Sequence, residues 1–395
     1  MCGIVAYAGS RDGSKIILEG LTKLEYRGYD SAGMAYEAGR NIKIIKAVGK
    51  VKNLEDLAAK NKVSSACLIG HTRWATHGKP SYDNAHPHAG HTSAVTLVHN
   101  GIIENYLEIK QKLIAKGHKF KSQTDSEVAA HLIEEYFAKT KSFEAAFRAA
   151  VAQLKGAYAI VAMCAGEPGV LMAAKKQSPL VLGLGKNEYF LASDVPAFLE
   201  HTKKVIFMED GDIAKITKDG YTITGNRKVT TINWSAAGAQ KGGYKHFMLK
   251  EIFDQPQAAE DTLLTLPNDI KKSFNISAAR ANKIKGIYLV ACGTAYHAAL
   301  TAKYWLEHFA KLPVEVETAS EFKYRDINFQ KDWLFTAVSQ SGETADTLAA
   351  LLNAKKAGLK TLSICNVLGS TITRESDFTV YTHCGPEISV ASTIL

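Results

Sequence analysis

The sequence predicts two architectures in tandem: an α+β layered sandwich, then a doubly wound parallel α/β sheet. Three observations predict this. A chain of 395 residues exceeds one ordinary core and favours two or three domains. Its first 225 residues are dense in strand-like apolar runs with helical patterns between them. From Ile284 onward, strand, glycine turn and helix alternate, the pattern of a parallel sheet.

The early strand candidates, in order, are "CGIVAYA", "AGMAYEA", "ACLIGHTRW", "AVTLVHNG", "AYAIVAMC", "PLVLGLG", "EYFLAS" and "DIAKIT". Between them, Leu18, Leu21 and Leu24 mark a helix, and "SFEAAFRAAVAQL" another. A third runs from Ser126 to Ala138, with Thr124-Asp125 as candidate cap and Glu127 in its first turn. Residues 1–225 form the first expected domain. The stretch 226–243, with its Gly, Ala and Ser, reads as a linker, and 244–395 as the second domain. There "KHFMLKEIFDQ" is helical and should stop near Pro256. "KGIYLVACG", "VEVETAS", "WLFTAVSQSGE" and "KTLSICNV" read as strands. "TAYHAALTAKYWLEHFA" and "TADTLAALLNAKKAG" read as helices, the latter stopped by Gly358.

Composition narrows the class. Hydrophobic residues make up 46% and charged residues 22%, as in a globular protein. No apolar run reaches the ~20 residues of a membrane span, and no signal-peptide pattern opens the chain, so a cytoplasmic protein without membrane contact is expected. The net charge of +9 is scattered, with no long basic block, which argues against nucleic acid. None of the six cysteines forms a CxxC pair. Cys67, Cys164 and Cys365 lie in apolar runs and read as core.

Cys2 stands apart. If the initiator methionine is removed, this residue carries both a thiol and a free α-amine. That amine titrates near ~7.7–8, so it can take the thiol proton and return it to a leaving group. Further along, "LEYRGYDSAG" holds Arg27, "HTRWATHG" holds Arg73, Trp74, Thr76 and His77, "VHNG" holds Asn100 and Gly101, and "SQTDSEV" holds Asp125. Taken singly, Asn100-Gly101 is a turn, Asp125 a helix cap and Arg73 a surface charge. His71, His77, His86, His88, His91 and His99 crowd one region, but their spacing fits neither a helical metal motif nor a finger, so no metal is expected.

Together these blocks resemble the class II glutamine amidotransferases, N-terminal-nucleophile hydrolases built as a four-layer α/β/β/α sandwich. The resemblance implies Cys2 as nucleophile, with the Asn100 amide and Gly101 N–H as oxyanion hole. It implies Arg27 as a site-closing residue and Trp74 as a gate. Arg73 would hold the glutamine α-carboxylate and Asp125 its ammonium, with Thr76 and His77 lining the pocket.

In the second half, "VACGTAYHAAL" and "VSQSGETADTL" each turn a strand into a helix through a glycine. Such turns favour a phosphate at the helix start. "SQSGETADT" resembles the sugar-isomerase (SIS) signature. The pairing of the two halves resembles the glutamine–fructose-6-phosphate aminotransferase family. That resemblance implies glutamine and fructose 6-phosphate as substrates, glucosamine 6-phosphate as product, no cofactor, and a homodimer formed through the isomerase half. It implies Cys292, Gly293, Thr294, Ser339, Gln340, Ser341, Thr344, Val390 and Ser392 around the sugar phosphate.

Two departures stand out. Ala295 occupies a position where serine is common. The family also carries a second SIS module, supplying a catalytic Lys, Glu and His, that residues 1–395 do not include, so glutamine hydrolysis without complete synthase turnover is expected of this chain as written. Two alternatives remain open. One is another class II amidotransferase, against which the SIS-like turns argue. The other is a sugar-phosphate sensor with a dead glutaminase, against which the retained site residues argue.

Overall fold

The computed structural model describes residues 2–75, 78–232, 243–274, 283–385, 387, 389 and 392, except the side chains of Tyr26 and 267–274. The chain forms two compact units, Met1–Asn233 and Trp234–Leu395.

The strands of the first unit are β1 (Gly3–Gly9), β2 (Ser31–Ala38), β3 (Asn41–Val48), β4 (Cys67–Arg73), β5 (His88–Ala89), β6 (Val95–Ile103) and β7 (Gly156–Cys164). They continue with β8 (Leu171–Lys176), β9 (Val181–Leu184), β10 (Glu188–Ala192), β11 (Lys204–Phe207), β12 (Ile213–Thr217), β13 (Gly220–Ile223) and β14 (Thr230–Thr231). Its helices are α1 (Ser14–Lys23), α2 (Val51–Lys60), α3 (Tyr106–Ile114), α4 (Ser126–Thr140) and α5 (Phe143–Val151).

One antiparallel sheet runs β14-β11-β9-β10-β1-β4-β2-β3, and the other β13-β12-β8-β7-β6-β5. Alternation along each strand feeds three cores. Ile4, Ala6, Ala8 and Ile69 of the first sheet meet Val98, Val161, Met163 and Ala173 of the second. The far face of the second sheet, with Leu97, Ile160 and Ala162, packs on Ile109, Leu132, Phe143 and Phe147 of α3, α4 and α5. Helices α1 and α2 cover the outer face of the first sheet. This is the expected four-layer α/β/β/α sandwich. It explains why β1 is buried on both faces and reads as a continuous apolar run.

Thr230–Thr231 pair with β11, Arg227 bonds Asp212 and Ile232 is buried, so the first unit extends past 225 into the stretch expected to be linker.

The second unit holds α6 (Phe247–Phe274), β15 (Gly286–Ala291), α7 (Gly293–Phe309), β16 (Val314–Thr318), α8 (Ala319–Phe322), β17 (Trp333–Ser339), α9 (Ala345–Lys356), β18 (Lys360–Cys365), α10 (Thr371–Glu375) and β19 (Phe378–Tyr381). Its five strands are all parallel, in the order β16-β15-β17-β18-β19. The expected stop at Pro256 does not occur, and α6 continues through it. An interior proline costs about 3 kcal/mol by losing one N–H and crowding a carbonyl. Packing along β19 carries the helix onward, with Ala258 buried and Thr262 hydrogen-bonded to the Thr382 carbonyl. Among the described residues no helix is long and apolar enough to cross a membrane.

Candidate active site

Cys2 immediately precedes β1, which is paired on one side by β10 and on the other by β4. Register places Gly3 opposite Thr72, so the end of β4 arrives beside the thiol. The Trp74 N–H donates to Cys2 Sγ at 3.3 Å, and the Trp74 carbonyl lies 3.6 Å from it. Burial pushes the Cys2 pKa up, while the Trp74 contact and the charges of Arg73 and Arg27 pull it back.

The facing sheet supplies Asn100 and Gly101 from β6. The Asn100 Nδ2 donates to the Cys2 carbonyl at 3.0 Å. Gly101 has φ +119, and a Cβ there would sit 2.1 Å from the Ala157 carbonyl oxygen. Only glycine suits this position, and because Asn100 and Gly101 lie inside β6, paired with Ala159 and Tyr158, Asn-Gly is not a two-residue turn.

Arg73 is buried, and its Nη2 donates to the Gly78 carbonyl at 3.0 Å. Burial lowers its pKa, while charges at Cys2, Asp30 and Asp125 pull the other way. Asp125 occupies the residue before α4 but makes no side-chain cap there. Its Oδ2 instead accepts the Ile103 N–H at the end of β6, at 2.7 Å. The helix-cap reading of Asp125 therefore fails, and the carboxylate is held at the strand end beside Asn100–Gly101. Arg27 is buried, with Nε 3.4 Å from the Cys2 carbonyl and Nη1 3.0 Å from Asp194 Oδ2. Trp74 remains 42% exposed, edge-on to Tyr29. Thr76 and His77 lie outside the described residues.

Sequence reasoning passed over the histidines behind this surface as ligands. His71, His86, His88 and His99 are all buried. Burial drives His71 down to about 3 and lowers the other three, so all four are neutral near pH 7. Among the described residues no group of three or more His, Cys, Asp or Glu could hold a metal ion. A sequence signal existed for His71 and His99, which lie on the otherwise apolar strands β4 and β6, but not for His86, which lies outside any strand.

In the second unit, Cys292 follows β15 and Ser339 ends the adjacent strand β17, where the strand order reverses direction. Open parallel sheets bind ligands at this point. Cys292 precedes α7, and Gly293, with φ +59, and Thr294 open that helix exposed. The Ser339 Oγ accepts the Gly342 N–H at 3.1 Å and lies 3.2 Å from Thr344 Oγ1. The Ser341 Oγ accepts the Glu343 N–H at 3.2 Å, and the Gln340 carbonyl accepts the Asn366 N–H at 3.2 Å. Gly342 has φ +63, and a Cβ there would meet Ser370 Oγ at 1.9 Å. The turn is thus a tight, hydroxyl-lined loop leading into α9. Ser392 is half-buried with φ +48, and Val390 lies outside the described residues.

Two domain families match these two units. The glutamine amidotransferase domain family matches residues 71–200, and the SIS domain family matches residues 282–395. The chain thus joins a glutamine amidotransferase domain to a sugar-isomerase domain. Over its whole length it is 48% identical to the glutamine–fructose-6-phosphate aminotransferase (isomerizing) of Clostridium tetani and 47% identical to that of Pyrococcus horikoshii. The chain belongs to the glutamine–fructose-6-phosphate aminotransferase family. It spans 66% of the length of these curated relatives. Glutamine phosphoribosylpyrophosphate amidotransferase of B. subtilis aligns over 96% of this chain and 90% of its own, at 18% identity and TM-score 0.51, a likeness of fold alone.

Proposed function

We propose that the first unit hydrolyses glutamine at Cys2 and that the second binds fructose 6-phosphate, the acceptor of the ammonia released. With Cys2 as the mature first residue, its α-amine takes the thiol proton as sulfur attacks the glutamine carboxamide carbon. The resulting oxyanion is held by the Asn100 amide and the Gly101 N–H. Collapse breaks the C–N bond, and the amine returns the proton to the departing ammonia. Water then cleaves the thioester to glutamate. Arg73 holds the substrate α-carboxylate as a forked, charge-assisted pair, and Asp125 its ammonium.

The observation that carries this reading is the meeting of three strand ends. Cys2 ahead of β1, Arg73 and Trp74 at β4, and Asn100–Gly101 at β6 are joined by the hydrogen bonds at Cys2 Sγ and the Cys2 carbonyl. For the sugar site, support comes from the two glycine turns at the reversal point. Cys292, Gly293, Thr294, Ser339, Gln340, Ser341 and Thr344 are proposed to surround the phosphate. Val390 and Ser392 are proposed from the resemblance alone.

The same reading implies a cytoplasmic homodimer that needs no metal, cofactor or nucleic acid.

The test is glutamate release from glutamine, with and without fructose 6-phosphate, by the wild type and by Cys2→Ala. Hydrolysis abolished in Cys2→Ala supports the reading, and stimulation by the sugar phosphate supports coupling of the units. Silence in both proteins would reject it in favour of a sensor.

A further inference from the structure

We propose that His71 is a positioning residue whose Nε2–H grips Oδ1 of Asn100 and so aims the Asn100 amide nitrogen at the reacting carbonyl. This rests on the amidotransferase reading above. An asparagine amide has nearly the same shape either way round, yet only its nitrogen end can stabilise an oxyanion. Something must choose the end.

The neighbouring carbonyls make that choice. His71 Nε2 lies 3.1 Å from the His99 carbonyl oxygen and 2.9 Å from the Asn100 side chain. A backbone carbonyl only accepts, so the first contact requires a proton on Nε2. The Asn100 atom facing that proton must then be oxygen. Its nitrogen is left on the Cys2 side, 3.0 Å from the Cys2 carbonyl. That oxygen also only accepts, so the two ends of the amide are fixed independently and agree.

The surroundings keep this arrangement in place. His71 is 1% exposed and Asn100 7%, so water does not compete for either group. The His71 ring packs against His86, with centroids 4.1 Å apart and the planes tilted by 31°. Burial, with His99 and Arg73 nearby, keeps the ring neutral, so a second proton does not disturb the tautomer. His71 and Arg73 are two residues apart on β4 and share one face of the strand. One strand therefore carries both the proposed carboxylate clamp and the residue that orients the oxyanion donor.

The experiment is steady-state glutamine hydrolysis by the full 395-residue chain as wild type, His71→Leu, His71→Gln, Asn100→Ala and the double variant His71→Leu/Asn100→Ala. A glutamine at 71 places an amide N–H near the lost Nε2–H, and a leucine does not. His71→Leu is expected to lower kcat about 100-fold with KM changed less than about threefold, the size of a lost oxyanion donor. His71→Gln should recover to within about tenfold of wild type. The double variant should be no worse than Asn100→Ala, because both changes remove one interaction.

An unaltered kcat in His71→Leu, a loss confined to KM, equal impairment of the Gln and Leu variants, or multiplied effects in the double variant would each overturn the proposal. If His71→Leu does not fold, His71→Asn takes its place, since its amide is too short to reach Asn100. Nitrogen NMR of labelled histidine gives a readout apart from activity. His71 should be the neutral Nε2–H form down to about pH 4.5. The Nδ1–H form would refute the orientation, whereas a silent wild type would instead reject the amidotransferase reading.

Discussion

Replacing Asn100 by alanine should separate catalysis from stability. The side chain makes two described hydrogen bonds, to the Cys2 carbonyl at 3.0 Å and to His71 at 2.9 Å. Deleting it strands neither partner. The Cys2 carbonyl keeps the Arg27 Nε at 3.4 Å, and His71 keeps the His99 carbonyl at 3.1 Å. The folding cost is therefore that of ordinary hydrogen bonds without an orphaned buried group, about 1–2 kcal/mol. For a unit of this size, that lowers Tm by about 2–8 °C. On the proposed function the oxyanion loses a preorganised donor, which costs about 2.7–4 kcal/mol of transition-state stabilisation, or 10²–10³ in kcat. Glutamate release and thermal unfolding, measured on one preparation, give both numbers. A kcat within about tenfold of wild type, or a loss wholly in KM, would refute the assignment of Asn100.

Further outcomes follow from other contacts. Gly101→Ala combines φ +119 with a Cβ 2.1 Å from a backbone oxygen, so β6 and β7 must part locally. A loss of about 3 kcal/mol or more should appear in denaturant unfolding. Burial alone would raise the Glu127 pKa, but hydrogen bonds with His131, Lys121 and Ser122 outweigh it and bring it from 4.5 to about 2. A depressed carboxylate contributes stability above its unfolded pKa and loses it as pH falls. The first unit should therefore weaken from about pH 4.5 toward 2, and Glu127→Gln should flatten that dependence in pH-dependent unfolding. Ser339→Ala removes the acceptor for the Gly342 N–H and the neighbour of Thr344. It should weaken fructose 6-phosphate binding about tenfold by calorimetry, with about 1 kcal/mol lost in stability.

What was legible in the sequence followed the strength of local signals. Long strands such as β1, β6 and β17 and helices such as α7 and α9 were readable, because apolar periodicity and glycine stops mark them. Strand β3 was missed because its residues alternate with lysines on an outer strand of the sheet. Thr230–Thr231 were taken for linker because two residues carry no period, and their pairing to β11 is purely tertiary. Pro256 misled for the opposite reason, a strong local rule overridden by packing on β19. At the site, Cys2, Asn100, Gly101 and Arg73 could be found as motif members. The part proposed for His71 could not, because it depends on a carbonyl from another sheet. Nor could the anchoring of Asp125 to the Ile103 N–H, since its place before a helix suggested a cap.

The central placement of β1 has a bearing on how the protein is made. The Ile4 N–H is held by Ser193 Oγ, and the partners of β1 include β10 at residues 188–192. Strand β1 thus waits for a partner synthesised nearly two hundred positions later. A nascent chain carries the thiol long before it has the sheet that aims it, so on the proposed function biosynthesis itself delays glutamine hydrolysis until the unit is whole.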